Sequence, residues 1–345
     1  MSQKELIVRR IKPIDLGKGP VVMLFYDGYE RRARRDKLIA LFCEIKRPIR
    51  YIWRLSRGRQ LRTGFYTQFL NLVSALKHIG CDVHINDYSL ADQYPNYPIG
   101  AAGYPSILDH IPKNHPVLFG PGDFGAPDDF KEMSKNFQSA YLLCFSEWIS
   151  IIYEQWNPGL TKQWFAGIDI DAWRPDTTKS KPIDCLIYDK IRWQREKLIP
   201  DFYEKIKVHL DKLGLAHKTI RYGEHTSHQY RENLQRSKSF IFLCEHETQG
   251  LAYQEAMSMN IPIFAWDEGK LSDNELKPFA TNDLVVTSVP YFSEDCGIRF
   301  QKENFHDRFG AFWNELNNFK PREYVEKNLN LKTSAQLYLN SYFGG

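Results

Sequence analysis

The stretch SFIFLCEHETQGLAYQEAMSMNIPIFAW, residues 239–266, predicts a strand, a loop, a helix and a second strand. It opens with a short run of aromatic and branched residues, which is typical of a buried parallel strand. A polar loop follows and ends at Gly250, where the backbone is free to turn or to approach a ligand closely. Apolar residues at helical spacing then predict a helix ending at Asn260, because Asn tolerates the left-handed conformation and Pro262 prevents continuation. A second apolar run completes one βαβ unit.

Two carboxylates lie in this unit, Glu247 in the loop and Glu255 in the helix, eight positions apart. Open α/β sheets bind ligands at the carboxyl ends of their strands, where the Glu247 loop must lie. The start of the following helix is also a favourable site for a phosphate or diphosphate. The spacing alone also fits two surface glutamates. A binding site is predicted because of where the two residues lie in the βαβ unit.

The stretch resembles the E-x7-E signature of retaining glycosyltransferases of the GT-B fold, family 4 in the sequence classification. The usual form is close to E-G-F-G-L-x-x-x-E-A-M-A-x-G-x-P-V, and this chain has E-T-Q-G-L-A-Y-Q-E-A-M-S-M-N-I-P-I from Glu247 onward. Gln249 replaces the aromatic residue before the glycine, and Asn260 replaces the second glycine. Neither replacement removes the two carboxylates.

The resemblance implies a role for each matching residue. Glu247 is expected to contact the sugar hydroxyls of a nucleotide-sugar donor as a catalytic residue, and Glu255 to hold the ribose hydroxyls. The backbone amides around Gly250 and Leu251 are expected to face the donor.

The length and composition indicate two domains. The chain has 345 residues, of which 43% are hydrophobic, enough for two buried cores. It begins without the apolar core of a signal peptide and contains no apolar run long enough to span a membrane, so we expect a cytoplasmic protein. Six scattered cysteines predict buried free thiols rather than disulfides or a zinc site. We expect an N-terminal domain over 1–168, a linker over 169–182, a C-terminal domain over 183–324 and terminal helices over 325–345.

Residues 31–62 form a basic segment, with twelve Lys or Arg residues and two acids. Its local charge is +10, against +4 for the whole chain. Arg50, Arg54 and Arg57 share one face of a predicted helix and Trp53 lies on its apolar face, the pattern of a segment that lies on an anionic membrane surface. These four residues are our candidates for membrane contact. The alternative is a solvated helix covering the core; nucleic acid is disfavoured because the rest of the chain is acidic.

Two further positions come from the order of the N-terminal domain. Residues 63–85 resemble the family's glycine loop, helix and strand, which makes Gly64 a candidate for the loop that faces the acceptor. The Pro-rich residues 94–116 predict loop and short turns. The next strand ends near Asp123, where the family commonly has a histidine close to the transferred sugar; Asp123 is therefore a candidate catalytic residue, with an ordinary turn residue as the alternative.

The linker contains Asp169-Ile170-Asp171, formally the D-x-D motif of metal-dependent GT-A transferases. In those enzymes the aspartates close a strand and hold a divalent cation on the donor diphosphate. Here the tripeptide lies in WFAGIDIDAWRP, which resembles the family's interdomain linker. We interpret it as linker and keep the metal site as the rival interpretation.

Basic residues follow the first strand of the C-terminal domain, where the family uses Arg and Lys to hold the donor diphosphate. Lys190, Arg192 and Lys197 are the candidates here, with an ordinary basic helix start as the alternative. Such cations are what the chemistry requires, because the departing diphosphate gains charge in the transition state.

We therefore predict two Rossmann-like domains facing across a cleft, with the donor in the C-terminal half and terminal helices crossing back to the N-terminal domain. The resemblance implies transfer of a sugar from a nucleoside diphosphate to an acceptor hydroxyl, with retention and without metal or other cofactor. The basic segment favours a lipid-linked or cell-surface glycan acceptor at the cytoplasmic face of a membrane, with a soluble acceptor as the alternative. A GT-A-type transferase, a nucleotide-sugar epimerase and a non-catalytic glycan-binding domain are the alternatives.

Overall fold

The fold is taken from a computed structural model, which describes residues 11–36, 38, 39, 41, 45, 46, 48, 52, 56 and 62–344. Within this part of the chain, the N-terminal sheet has six strands in the order β2-β1-β3-β4-β5-β6. The strands are β1 (Val21–Asp27), β2 (Asp82–Ile85), β3 (Ile99–Gly103), β4 (Val117–Gly122), β5 (Ala140–Cys144) and β6 (Thr161–Gln163). The helices that accompany them are α1 (Gly64–His78), α2 (Tyr88–Gln93), α3 (Pro127–Ser134) and α4 (Glu147–Trp156).

The C-terminal sheet has five strands in the described residues, in the order β11-β10-β9-β7-β8. They are β7 (Ile183–Asp189), β8 (His217–Arg221), β9 (Ser237–Leu243), β10 (Ile263–Trp266) and β11 (Gly297–Phe300). The helices of this half are α5 (Arg195–Leu198), α6 (Glu204–Lys212), α7 (Ser227–Gln235), α8 (Leu251–Ser258) and α9 (Phe305–Asn314), with one π-helical turn, Ile199–Tyr203, joining α5 to α6. Both sheets pair their strands in parallel.

The predicted βαβ unit is confirmed as β9, α8 and β10. All residues of β9 except Lys238 are buried, in keeping with a parallel strand covered on both faces. Asn260 has a positive φ of 55°, the left-handed conformation that the sequence predicts at the end of the helix. Gly250 has a φ of 84° and begins α8, so this turn uses the freedom of glycine.

The terminal helices cross back to the first domain, as predicted. Helix α10 (Pro321–Asn328) packs against α8, and α11 (Leu331–Tyr342) packs against α1. The Tyr342 hydroxyl accepts a hydrogen bond from the Met23 backbone N–H at 2.9 Å, and the Trp164 indole donates to the Ser334 carbonyl at 3.0 Å. These buried bonds fix the end of the chain to the N-terminal core.

Two general expectations can be checked on the described residues. No helix there has the length and apolar character needed to cross a membrane. The cysteines in this part of the chain are buried and free, as predicted; Cys43 lies outside the described residues.

The prediction that residues 94–116 form only loop and turns is wrong. Ile99–Gly103 is strand β3, which lies in the sheet between β1 and β4. Its sequence, IGAAG, lacks the branched and aromatic residues that indicate a strand. Small residues are required because α11 packs over β3: a Cβ at Gly100 would overlap the Tyr338 hydroxyl and lie 2.6 Å from Leu24 Cδ2.

Gly100→Ala is expected to lower the free energy of unfolding by about 1–3 kcal/mol, because the added methyl overpacks the core. The Tyr338 hydroxyl has no hydrogen-bond partner among the described residues. Gly100→Ala/Tyr338→Phe should therefore recover part of the loss, a non-additivity that urea denaturation measures. Gly310→Ala in α9, where a Cβ meets nothing within 4 Å, is the control and should be neutral or stabilising. Equal behaviour of the Gly100 and Gly310 variants would contradict this account of β3.

Candidate functional site

The candidate site lies where the order of the second sheet reverses. Numbered within its own domain, that sheet runs 2-1-3-4-5, so the chain leaves β7 and β9 in opposite directions along the sheet. In open α/β sheets of this kind, ligands bind in the crevice at the carboxyl ends of the strands flanking the reversal. The loop after β7 carries Lys190 and Arg192, and the loop after β9 carries Glu247.

A buried ion pair joins these two loops. Lys190 Nζ contacts Glu247 Oε1, and their side chains are 13% and 7% exposed. Lys190 Nζ also lies 4.5 Å from the centroid of the Tyr222 ring, and the Cys244 thiol donates to Glu247 Oε1 at 3.4 Å. The site therefore holds one carboxylate against one ammonium group, with an aromatic wall and a thiol around them.

Neighbouring charges outweigh burial in setting the protonation states of Glu247 and Lys190. Burial alone would raise the pKa of Glu247, but Lys190 and Arg192 lower it below its usual range. Burial alone would lower the pKa of Lys190, but the Glu247 carboxylate raises it above the usual range. Both groups are therefore charged at neutral pH.

Glu245, which the sequence analysis did not select, holds the two loops together. Its buried carboxylate accepts hydrogen bonds from the backbone N–H groups of Arg192 at 3.2 Å and Trp193 at 2.9 Å. The start of the β7 loop is fixed separately by Asp189, which binds Arg195 through two hydrogen bonds of 2.8 and 2.6 Å. The position of Lys190 is thus set from both sides.

Glu255 lies in α8, which follows the Gly250 turn, and has the opposite electrostatic character. It is buried, and no hydrogen bond reaches its carboxyl group from any residue in the described ranges. Burial raises the pKa of Glu255 to about 8, against a smaller lowering by Arg231. At neutral pH this carboxyl is therefore mainly protonated, so it is able to donate as well as accept a hydrogen bond.

The N-terminal domain contacts the same loop. The Trp148 indole, at the start of α4, donates to the Glu247 carbonyl at 2.9 Å. Gln249 is fully buried and bonds both to the Ala166 N–H at 2.9 Å and to its carbonyl at 2.8 Å. Gln68 of α1 donates to Gln249 Oε1 at 3.2 Å. Gln249 thus joins the loop to the segment that precedes the linker and to α1.

The remaining predicted residues lie apart from the ion pair. Gly64 is the exposed first residue of α1. Asp123 is exposed just after β4, and its carboxylate accepts the Gly125 N–H at 3.1 Å, the contact of a turn residue. Lys197 is exposed in α5. No hydrogen bond or ion pair within the described residues links Asp123 or Lys197 to Glu247.

The D-x-D tripeptide and the membrane-surface candidates are the remaining predicted groups. Asp169 accepts hydrogen bonds from the backbone of Asp171 at 3.1 Å and Ala172 at 2.9 Å, so the D-x-D tripeptide caps a turn of the linker rather than closing a strand. The membrane-surface candidates, Arg50, Trp53, Arg54 and Arg57, lie outside the described residues.

Sequence analysis missed Glu245, His246 and Trp148, and it did not foresee the role of Gln249. One signal was available for the first two: E-H-E directly after a buried strand places three ionisable residues at the carboxyl end of that strand. Trp148 and Gln249 act between domains, and nothing in their local sequence indicates the partner.

These sheets, the facing loops and the returning C-terminal helices define a GT-B fold, and solved structures share it. Sucrose-phosphate synthase from Thermosynechococcus elongatus matches at 11% identity over 93% of this chain and 98% of that chain, with a TM-score of 0.58. The lipopolysaccharide outer core galactosyltransferase WaaB matches at 12% identity over 94% and 99%, with a TM-score of 0.50. The chain spans only 57% of TarM, at 12% identity over 74% of this chain and a TM-score of 0.47. No family profile and no curated protein matches the sequence.

The raised pKa of Glu255 predicts a pH-dependent stability. Because the folded state retains a proton that the unfolded state releases near pH 4.5, the free energy of unfolding should fall as the pH rises from about 5 to about 8. One proton gives at most about 1.4 kcal/mol per pH unit. Glu255→Gln should remove this contribution, which denaturation at several pH values measures. The exposed Glu303→Gln variant should retain the wild-type slope, and an unchanged slope in Glu255→Gln would contradict the assignment.

Proposed function

We propose that the protein is a glycosyltransferase that moves a sugar from a nucleoside-diphosphate sugar to an acceptor hydroxyl, with retention and without a metal. The buried ion pair between Lys190 and Glu247 carries the proposal, because it puts a fixed cation and a fixed carboxylate in the crevice between β7 and β9. The GT-B fold supports it: the solved structures matched at a TM-score of 0.50 or more include a synthase of sucrose phosphate and a galactosyltransferase.

Each group of the site has a chemical task in this reaction. An ammonium group has three donors, so Lys190 is able to hold Glu247 and a phosphate oxygen together. With Arg192, it stabilises the negative charge that grows on the leaving diphosphate. Glu247 orients the sugar through its hydroxyl groups. The leaving diphosphate then takes the proton of the acceptor hydroxyl on the same face, so the reaction requires no protein nucleophile.

The ribose is assigned to Glu255 and the start of α8. A protonated carboxyl both donates and accepts, which suits a pair of ribose hydroxyls. Gly250 permits the turn that begins α8, because its φ is positive and a Cβ there would overlap the Tyr253 ring. The backbone N–H groups at this helix start are then assigned to the donor.

The acceptor is assigned to the N-terminal domain, where the order of the sheet reverses between β1 and β3. Asp27 is fully buried at the end of β1 and binds Arg34 at 3.0 Å. Glu30 accepts the Thr63 N–H at 2.6 Å. These two carboxylates hold the start and the end of the basic segment beside the crevice of the first sheet.

We propose that this segment lies on an anionic membrane surface and that the acceptor is a lipid-linked or cell-surface glycan. Four of its described residues are apolar, helical and exposed, and their spacing puts them on one face of a helix. Their exposed fractions are 78% for Leu38, 58% for Leu41, 58% for Ile45 and 64% for Ile52. Exposed apolar side chains within a segment of charge +10 suit an anionic lipid surface. The location we propose is the cytoplasmic face of a membrane, whose lipids are anionic.

The reaction is tested by measuring release of free nucleoside diphosphate from a panel of nucleotide sugars, with and without a chelator. We expect turnover of one donor that resists the chelator and falls about 10²- to 10³-fold in Glu247→Gln, because that variant loses the oriented negative charge. Turnover abolished by the chelator would contradict the metal-free reaction and favour Asp169 and Asp171.

A control is needed because Glu247→Gln leaves Lys190 buried without its partner, and breaking a buried pair costs about 3–5 kcal/mol. Lys190→Met/Glu247→Gln removes both charges and should regain much of that stability. If both variants are inactive although the double variant is folded at the assay temperature, the loss of activity is not caused by unfolding. Full activity of a folded Glu247→Gln enzyme would remove Glu247 from the mechanism.

Membrane binding is tested by co-sedimentation with vesicles that contain anionic or only zwitterionic lipid. Binding should require anionic lipid, weaken as salt is raised, and fall at least about tenfold in Leu41→Ser/Ile45→Ser, which loses buried apolar area. Val208→Ser/Leu213→Ser is the matched control, because these residues are equally exposed apolar side chains in the other domain. Binding that ignores lipid charge and salt would contradict the proposal.

A further inference from the structure

Of the eight buried side-chain polar atoms that lack a hydrogen-bond partner in the described residues, four belong to residues on or beside the loop that carries Glu247. His246 Nε2, Gln68 Oε1, Ser146 Oγ and Ser288 Oγ are buried, and none has a hydrogen-bond partner in the described part of the chain. Buried polar groups are nearly always hydrogen-bonded, so a cluster of exceptions at one place indicates a polar ligand. Of these residues, His246 belongs to the loop itself.

The other three flank the loop through bonded neighbours. Gln68 donates to Gln249. Ser146 precedes α4, whose Trp148 donates to the Glu247 carbonyl. Ser288 follows Thr287, whose carbonyl accepts the Glu247 N–H at 3.1 Å. These four atoms therefore border the candidate active site, whereas the other four lie in the N-terminal domain and in α11, away from the loop.

Packing fixes the His246 ring. The side chain is 2% exposed. It stacks on Trp193, with centroids 4.5 Å apart and planes at 25°, and meets Trp148 edge-on at 5.4 Å and 77°. Trp193 comes from the C-terminal domain and Trp148 from the N-terminal domain, so both walls of the cleft hold the ring. A group held in this way is suited to select a ligand, because reorienting it costs packing on two sides.

The His246 ring is neutral under ordinary conditions. Burial, with a further effect of Arg192, lowers its pKa to about 4. A neutral imidazole nitrogen makes one hydrogen bond, as a donor or an acceptor according to its tautomer. A hydroxyl group satisfies either tautomer, whereas phosphate oxygens only accept and already have Lys190 and Arg192 as cationic partners.

We propose that His246 Nε2 hydrogen-bonds a hydroxyl of the sugar on the nucleotide donor and selects for sugars that carry this hydroxyl. The proposal rests on the proposed function. It assigns the donor sugar rather than the acceptor, because His246 directly precedes Glu247 in the loop after β9, within the domain that holds the donor. His246 is then a specificity-determining residue beside the cation site.

The test measures dissociation constants without acceptor, by calorimetry, for a free nucleoside diphosphate and for its sugar form. The ratio of the two isolates the contribution of the sugar. In His246→Phe, which keeps an aromatic ring against both tryptophans, we expect unchanged affinity for the diphosphate and a three- to tenfold loss for the nucleotide sugar. His246→Asn, which restores a polar group, should recover part of that loss.

The wild-type enzyme should show the same loss for one analogue of the sugar that lacks a single hydroxyl, and His246→Phe should not discriminate against that analogue. His115→Phe is the matched control, because His115 is a buried histidine of the other domain, just before the first residue of β4, and its Nδ1 is bonded to the Tyr97 carbonyl. It should bind both ligands as the wild type does.

Each other result has one meaning. If no nucleotide binds to the wild type, the proposed function fails. If nucleotides bind but His246→Phe keeps the wild-type ratio, or loses diphosphate and nucleotide sugar equally, the inference about His246 is overturned and the proposed function stands. If the ratio is unchanged but the KM of the acceptor rises, His246 contacts the acceptor, which also overturns it.

Discussion

The burial of two carboxylates in one loop is the constraint on which the site depends. Glu245 and Glu247 both follow β9 and are both nearly inaccessible to solvent. A carboxylate buried alone takes up a proton or costs several kcal/mol. Here the loop after β7 supplies the compensating groups: backbone N–H groups of Arg192 and Trp193 for Glu245, and the Lys190 ammonium group for Glu247. The two loops therefore stabilise each other, and their contacts depend on the pairing of β7 with β9.

The same loop also determines how the domains meet. The side-chain amide of Gln249 hydrogen-bonds both the N–H and the carbonyl of Ala166, just before the linker. Gln68 of α1 donates a hydrogen bond to the same amide. A side chain that satisfies two backbone groups of Ala166 ties the Glu247 loop to the chain just before the linker. Opening the cleft must therefore either carry this loop with the linker or break buried hydrogen bonds, each of which costs about 1–3 kcal/mol if left unpaired.

The parts of the fold that the sequence predicts are those governed by local physics. The βαβ unit, with Gly250 and Asn260 at its turns, follows from apolar periodicity and from the conformations these residues tolerate. Strand β3 does not, because Gly100 is small on account of Tyr338, which lies more than two hundred residues away. The pairing of Lys190 with Glu247 is predictable only in part. The sequence indicates that both residues follow strands and lie at the same end of the sheet. Which of several basic residues contacts Glu247 depends on the fold of the β7 loop. Trp148 and Gln249 depend on contacts between domains and were beyond local reasoning.

Glu247 and Glu255 show that spacing does not determine chemistry. Glu247 and Glu255 lie in one βαβ unit and are both buried, so the dielectric cost of a charge is similar at the two positions. Glu247 has Lys190 against it and is ionised, whereas Glu255 has only the more distant Arg231 and is mainly protonated at neutral pH. One member of the pair therefore only accepts hydrogen bonds, and the other also donates. A ligand that contacts both must therefore present donors to the first, whereas the second accepts either a donor or an acceptor, such as a hydroxyl group.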